Sequence, residues 1–455
     1  MPGAKPSPQI ESRADLIEAM ARGAKPKDTW RVGTEHEKFV FYRKDNSPVP
    51  YEGSNGIRAL LEGVMDRTGS SPIHDGDALI GLEQPNGGGS ISLEPGGQFE
   101  LSGAPLRTLH ETCVETNQHL KLMRAIAEPL GIGFLGLGAI PTWSVADIPK
   151  MPKSRYAIMG PYMEKVGTLG TSMMFRSCTV QANLDFSDEA DMVKKLRVSL
   201  ALQPVATALF ANSPFIDGKP SPYLSFRSQI WLDTDPDRTG MIPFAFEDGM
   251  GFERYADYAL DVPMYFVVRE GRYINCAGES FRAFLGGQLP QLPGEKPTIK
   301  DWEDHLSTLF PEVRLKQYLE MRGADAGPWQ ELCALPALWT GLLYDSAALD
   351  AAWEMVKDWT AEERDALRRA VPRSAIHTPF RNETVADIGA RMLELARGGL
   401  ARRANLNWEG EDETIFLAPI AETLRTGKTA AEDLVDLYKG EWQGDISRVF
   451  ERAAF

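Results

Sequence analysis

The sequence predicts a mixed α+β fold up to about Pro328, followed by a largely helical segment. Three observations predict it. Polar and apolar residues alternate along several stretches, the period of a half-buried strand. Beyond Pro328 apolar residues recur mostly at helical spacing, and Thr360 with Glu363 and Thr429 with Glu432 fit capping boxes. No internal repeat, low-complexity tract or long linker separates the two parts, so the helical part is expected to pack onto the rest.

In chain order, a short amphipathic helix is predicted from about Ala14 to Arg22, ending at Gly23. Trp30 to Tyr42 is aromatic and β-branched and reads as a strand, as does Ala78 to Leu82; Pro85 to Gly89 is a turn. Ser90 to Ser102 alternates strictly and reads as one strand, with Pro95-Gly96-Gly97 able to kink or bulge it. Pro105 opens a long helix reaching Ala127, and Gly131 to Ala139 reads as a buried strand. Phe175 to Phe186 alternates again, after which Ser187 caps a helix to about Asn212, kinked at Pro204. Met264 to Cys276 reads as a hairpin around Glu270-Gly271, and Glu312 to Arg322 as one further alternating strand. The expected division is residues 1–24 as an N-terminal arm, 25–328 as the core and 329–455 as the helical region.

Charge narrows the function. The 455 residues carry a net −15, which disfavours nucleic acid and anionic membrane surfaces as partners. Four scattered cysteines without a CxxC exclude a zinc finger or a disulfide scaffold, and free thiols are expected. The prolines of Met1 to Arg13 and the shortness of Gly131 to Pro141 give no visible signal peptide or span, so a cytoplasmic location is expected. Short motifs fail on context. Gly131, Gly133 and Gly136 match GxGxxG, but a helix precedes them instead of following. His36-Glu37 begins an HExxH that ends in Val40.

Three extended stretches place charge more informatively. Glu35 and Glu37 leave one face about 7 Å apart. Ser92, Glu94, Gln98, Glu100 and Ser102 share a face of the second stretch; Arg314, Lys316, Glu320 and Arg322 share one of the third. Each alone reads as a solvated sheet face. Together, hard oxygen donors with arginines fit a shared Mg²⁺-nucleotide site.

At these residues the sequence resembles a known family. Arg31 to Phe39, Ser90 to Gly103, Ala259 to Tyr265 and Tyr318 to Asp325 resemble the plant and proteobacterial type of glutamate–cysteine ligase, over nearly the whole chain. The resemblance implies a glutamine-synthetase-like curved antiparallel sheet with outer helices. It implies ATP-dependent ligation of glutamate to cysteine, the first step of glutathione synthesis, in a monomer or homodimer. It implies Mg²⁺-ATP bound through Glu35, Glu37, Glu94, Gln98, Glu100 and Glu320, with Arg322 also on the nucleotide. Arg322 and Glu37 are then the candidate catalytic residues, and Arg155, Arg227 and Tyr265 the candidates for amino-acid substrates. Spacing alone selects none of those last three. Another amine acceptor, a phosphotransferase or a non-catalytic nucleotide binder stays open as a rival reading. Plant members are linked to thiol control through disulfides. One such pair would join Cys276 to a position held here by Gln291, and Cys113 and Cys333 match the other.

Overall fold

The structure, a computed structural model, describes residues 7–455; the first residues of the N-terminal arm lie outside it. Its centre is β1 (Val32–Tyr42), whose aromatic and β-branched residues suit a strand buried on one face. Around it stand β2 (Ser71–Asp75), β3 (Ala78–Glu83), β4 (Ser90–Leu93), β5 (Phe99–Ser102), β6 (Ile132–Leu135), β7 (Thr179–Leu184), β8 (Val313–Leu315) and β9 (Leu319–Asp325). The order is β8-β9-β7-β1-β5-β4-β3-β2, with β6 also pairing β1, and every pairing in this open sheet is antiparallel. The fold is therefore α+β, as expected.

Two stretches that read as single strands are hairpins. In Ser90 to Ser102, Pro95-Gly96-Gly97 does more than kink the strand: Gly97 adopts φ +81°, its N–H bonds the Glu94 carbonyl at 2.9 Å, and the chain reverses. Ser92 then lies opposite Glu100. In Glu312 to Arg322 the chain reverses at Lys316-Gln317-Tyr318 and Arg314 faces Glu320. Alternation survives both turns because each preserves which face a residue points to, so the pattern conceals the reversal.

The helices match in part. α1 (Arg13–Ala21) buries Leu16, Ala19 and Met20 against helices 252–261 and 299–307. α2 (Ile57–Thr68) lies against β3. α3 (Leu109–Ala127) starts later than Pro105 because Thr108 and Glu111 form its capping box. α4 (Ser154–Val166) and α5 (Gly170–Arg176) precede β7, so Phe175 and Arg176 are helical instead of extended. α6 (Glu189–Leu209) contains Pro204 and is capped by Asp188 in place of Ser187. It packs on β9, and α7 (Phe226–Trp231) follows. The hairpin at 266–275 and both C-terminal capping boxes form as read.

In the last part α8 (Trp329–Leu343) is buried from Leu332 to Leu343 and packs against α3, β7 and α9 (Val385–Arg403). Each fully buried Leu or Trp there adds about 1.5–3 kcal/mol of apolar burial. Cys113 of α3 and Cys333 of α8 are joined in a disulfide, which corrects the expectation of free thiols at both. No local pattern indicates a pairing across 220 residues, although the resemblance matched both positions to a family pair, and the packed helices bring the Cα atoms to 5.7 Å. Cys178 and Cys276 are free and buried. Among the described residues no single helix is long and apolar enough to cross a membrane.

Candidate active site

A cavity of about 400 Å³ opens over the middle of the sheet, between the β4–β5 and β8–β9 hairpins. Glu35, Glu37, Glu94 and Glu100 line one side; Arg155, Arg227, Arg314, Lys316 and Arg322 also line it. A larger cleft of about 1030 Å³, lined by residues such as Lys121 and Trp329, contains none of the candidate residues.

Register creates the acidic side. Glu37 on β1 lies directly opposite Glu100 on β5, and Glu35 is flanked by Ser102 on β5 and Gln181 on β7. Like charges directly opposite each other are unfavourable, and the groups show it. Burial, then Glu320 and Glu100, pushes Glu35 up to about 7. Burial, then Glu94 and Glu100, pushes Glu37 well above the usual carboxylate range. Neighbours hold them in place. Asn183 Nδ2 donates to Glu35 Oε1 at 2.8 Å and the Thr179 N–H to Glu37 Oε2 at 3.0 Å. The hydroxyls of Ser92 and Ser102 donate to the two oxygens of Glu100 at 3.0 and 2.9 Å. Glu94 approaches Arg155 Nη2 at 3.8 Å. Among the described residues no three of His, Cys, Asp and Glu are drawn together as a closed metal cluster.

The other face of β1 is dry. His36 and Lys38 are fully buried there, with Lys38 Nζ 3.0 Å from His36 Nδ1. Burial lowers the Lys38 ammonium to about 7.

The cationic side is built on Glu320. This carboxylate is fully buried and its oxygens accept from Arg314 Nε at 2.5 Å, Arg314 Nη2 at 2.9 Å and Arg322 Nη1 at 3.0 Å, with Lys316 Nζ at 3.8 Å. Burial pushes Glu320 up, but Arg314, Lys316 and Arg322 outweigh it and hold it far below the usual carboxylate range. Arg322 Nη1 also donates to Gln181 at 2.8 Å, and Arg227 Nη2 to the Arg322 carbonyl at 2.9 Å.

The structure thus gathers Glu35, Glu37, Glu94, Gln98, Glu100, Arg155, Arg227 and Arg322 around one cavity. Three candidates sit differently from their expected parts. Glu320 lies behind the arginines, not on the cavity lining. Gln98 lines the cavity, but both ends of its side-chain amide are already engaged: Nε2 donates to the carbonyls of Met174 and Ser177 at 3.1 Å each, and Oε1 accepts from the Gly96 N–H at 2.9 Å. Tyr265 is buried outside the cavity, its ring under Arg238 at 3.9 Å and its hydroxyl 3.6 Å from Met163 Sδ. Its neighbour Phe266 faces the cavity instead. Sequence reasoning placed Arg314 and Lys316 on a charged face without giving either a role, and it did not select Gln181 or Asn183, although both stand on a polar-alternating face.

The family model for glutamate–cysteine ligase family 2 matches residues 31–452. The chain belongs to that family. It is accordingly an ATP-dependent, ADP-forming ligase that makes γ-glutamylcysteine, which opens glutathione synthesis. Family 2 relatives include the chloroplastic glutamate–cysteine ligase of Medicago truncatula, 56% identical over 98% of this chain and 85% of the relative. That of Arabidopsis thaliana is 56% identical over 98% and 83%. A crystal structure of the Francisella tularensis glutamate–cysteine ligase in complex with AMP shares the fold, with a TM-score of 0.55 at 12% identity over 93% of this chain and 88% of that one. The cytoplasmic expectation is corrected by these comparisons, because the relatives are named as chloroplastic enzymes.

Proposed function

We propose that glutamate, cysteine and ATP meet in the cavity between the two hairpins, and that its acidic and basic sides divide the chemistry. The observation that carries this reading is the gathering of four carboxylates and five cations around one cavity. Glu35, Glu37, Glu94 and Glu100 are hard oxygen donors, two of them pushed up in pKa by burial first and by neighbouring carboxylates second, a donor set that fits Mg²⁺. Bound there, Mg²⁺ supplies neutralisation of the β- and γ-phosphate charge. Gln98 we assign to fixing the turn after Glu94, and Glu320 to aligning the arginines.

The residues then act in order. The glutamate γ-carboxylate resists attack by an amine because its leaving group would be oxide. Attack of that carboxylate on the γ-phosphorus of ATP, with release of ADP, makes an acyl phosphate whose leaving group is phosphate. Arg322, oriented by Gln181 and Glu320, presents its guanidinium to the transferring oxygens, and Arg314 supports it. Arg155 and Arg227 hold the carboxylates of the amino-acid substrates. Glu37, fixed by the Thr179 amide, keeps its carboxylate at the centre of the acidic side. The cysteine amine attacks the acyl carbon, phosphate leaves, and the surplus proton passes to solvent or a cavity carboxylate.

ADP release with Mg²⁺-ATP tests this, with glutamate and cysteine omitted in turn. Turnover that needs both supports it. Equal turnover with an unrelated amine in place of cysteine would move the assignment to another acceptor.

A further inference from the structure

The short helix α7 raises a question of support. It has six residues, too few to hold itself in water, yet it presents Arg227 to the cavity. Its start is tied by backbone bonds from Leu224 and Ser225 to the Pro372 carbonyl and from Phe226 to that of Ser213, and its side-chain anchor is a carboxylate that faces no substrate. Asp325, at the end of β9, is fully buried. One of its oxygens accepts from Ser225 Oγ at 2.8 Å. The other accepts from Ser213 Oγ at 2.6 Å and from the Asn212 N–H at 2.8 Å.

Both serines pass that anchorage on to α7. Ser225 is its N-cap, and its Oγ accepts from the Ser228 N–H at 3.1 Å. Ser213 Oγ accepts from the backbone N–H of Arg227 itself at 3.1 Å. Each hydroxyl therefore donates to Asp325 and accepts from α7, a polarity that an acceptor-only group at 325 enforces. The room for that carboxylate comes from Gly138: a Cβ there would stand 2.3 Å from the Asp325 Cγ. Because Asp325 shares β9 with Arg322, the same strand sets both partners of the bond between Arg227 Nη2 and the Arg322 carbonyl.

We propose that Asp325 is the positioning residue for Arg227, holding α7 through Ser213 and Ser225 so that the guanidinium meets the carboxylate of an amino-acid substrate. The inference rests on the reading of Arg227 as a substrate-binding arginine.

The test compares Asp325→Asn and Arg227→Ala in the full-length chain, measuring kcat and KM for glutamate, cysteine and Mg²⁺-ATP separately. Asn keeps the size of Asp but puts an amide N–H₂ where an acceptor is required, so α7 loses one of its two hydroxyl anchors. Asp325→Asn is expected to raise KM for one amino-acid substrate at least 10-fold. Arg227→Ala should raise KM for the same substrate, and the KM for Mg²⁺-ATP should move less than 2-fold in both. A second variant, Gly138→Ala, pushes on the carboxylate from the opposite side and should give the same selective rise in milder form. If Arg227→Ala leaves all three KM values unchanged, the reading of Arg227 fails. If Arg227→Ala raises KM for an amino acid but Asp325→Asn and Gly138→Ala, both folded by circular dichroism, do not, the positioning role fails. An equal loss of kcat with every KM unchanged overturns it as well.

Discussion

Replacing Glu320 by Gln separates two accounts of that residue, a metal ligand exposed to the cavity and a buried counter-ion for arginines. The structure supports the second, and its magnitude follows from what the carboxylate holds. Glu320 is fully buried, Arg314 is 6% exposed, and three cations converge on its two oxygens. Gln is nearly isosteric but neutral, and its N–H₂ faces a guanidinium. Removing one partner of a buried ion pair costs about 3–5 kcal/mol, because the remaining charge stays desolvated and unpaired. Both partners here lie away from solvent, so screening does not reduce the figure. The Glu320→Gln variant is therefore expected to lose about 3–5 kcal/mol of unfolding free energy, read from denaturant titration of the metal-free protein. The effect has a pH signature. Glu320 is held below its unfolded value, so its contribution is fully present above the ordinary carboxylate range and fades as the pH falls through and below it. The gap between wild type and variant should accordingly narrow in acid. A metal-free stability within about 1 kcal/mol of wild type, with only Mg²⁺ affinity reduced, would refute the counter-ion account.

Other perturbations bear on the same site. Glu35→Gln should lower Mg²⁺-ATP turnover at least 10-fold with the circular dichroism spectrum intact; unchanged activity removes Glu35 from the site. Because Glu35 sits at about 7, its ionised form gains population as the pH rises through that value. Mg²⁺ affinity by calorimetry should then increase across neutrality in wild type, with a flatter profile in Glu35→Gln. For the same reason the metal-free wild type should lose stability as the pH climbs from the ordinary carboxylate range to about 7, since the fold disfavours the charged form. Reduction of the Cys113–Cys333 bridge, which closes a loop of 220 residues, should cost about 2–4 kcal/mol of stability and change turnover at 25 °C little. A large, reversible loss of turnover on reduction contradicts that.

The elements most legible from sequence were those whose signal is local. The strand at Trp30 to Tyr42, the hairpin turning at Glu270-Gly271 and the capping boxes at Thr360 and Thr429 each follow from neighbouring residues. The two hairpins that flank the cavity escaped because a turn can preserve facing. The second offers no Gly, Pro, Asn or Asp at Lys316-Gln317-Tyr318 to announce it. The Glu and Arg faces were legible as faces, yet how charges divide between the cavity and its support depended on cross-strand register. Glu320 meets Arg314 only after β8 and β9 pair. Tyr265 shows the limit of a motif position: resemblance carries the residue but not the direction of its side chain, and one place along the chain Phe266 points the other way. The Cys113–Cys333 contact depends on two helices packing across 220 residues, which no window of sequence reports.

One feature of β1 bears on how this enzyme can change. Along Glu35-His36-Glu37-Lys38 successive side chains belong to two incompatible environments, a wet acidic cavity and a sealed interior. Loops elsewhere can lengthen by a residue at little cost, but this stretch cannot. A single inserted or deleted residue would carry His36 and Lys38 toward the substrates and send two carboxylates into the interior, with no intermediate state that preserves half the function. Variation and redesign are thereby confined to replacements in place. New acceptor amines are best sought by changing Met159, Met173, Trp231 or Phe266, which line the cavity without fixing the phase of the strand.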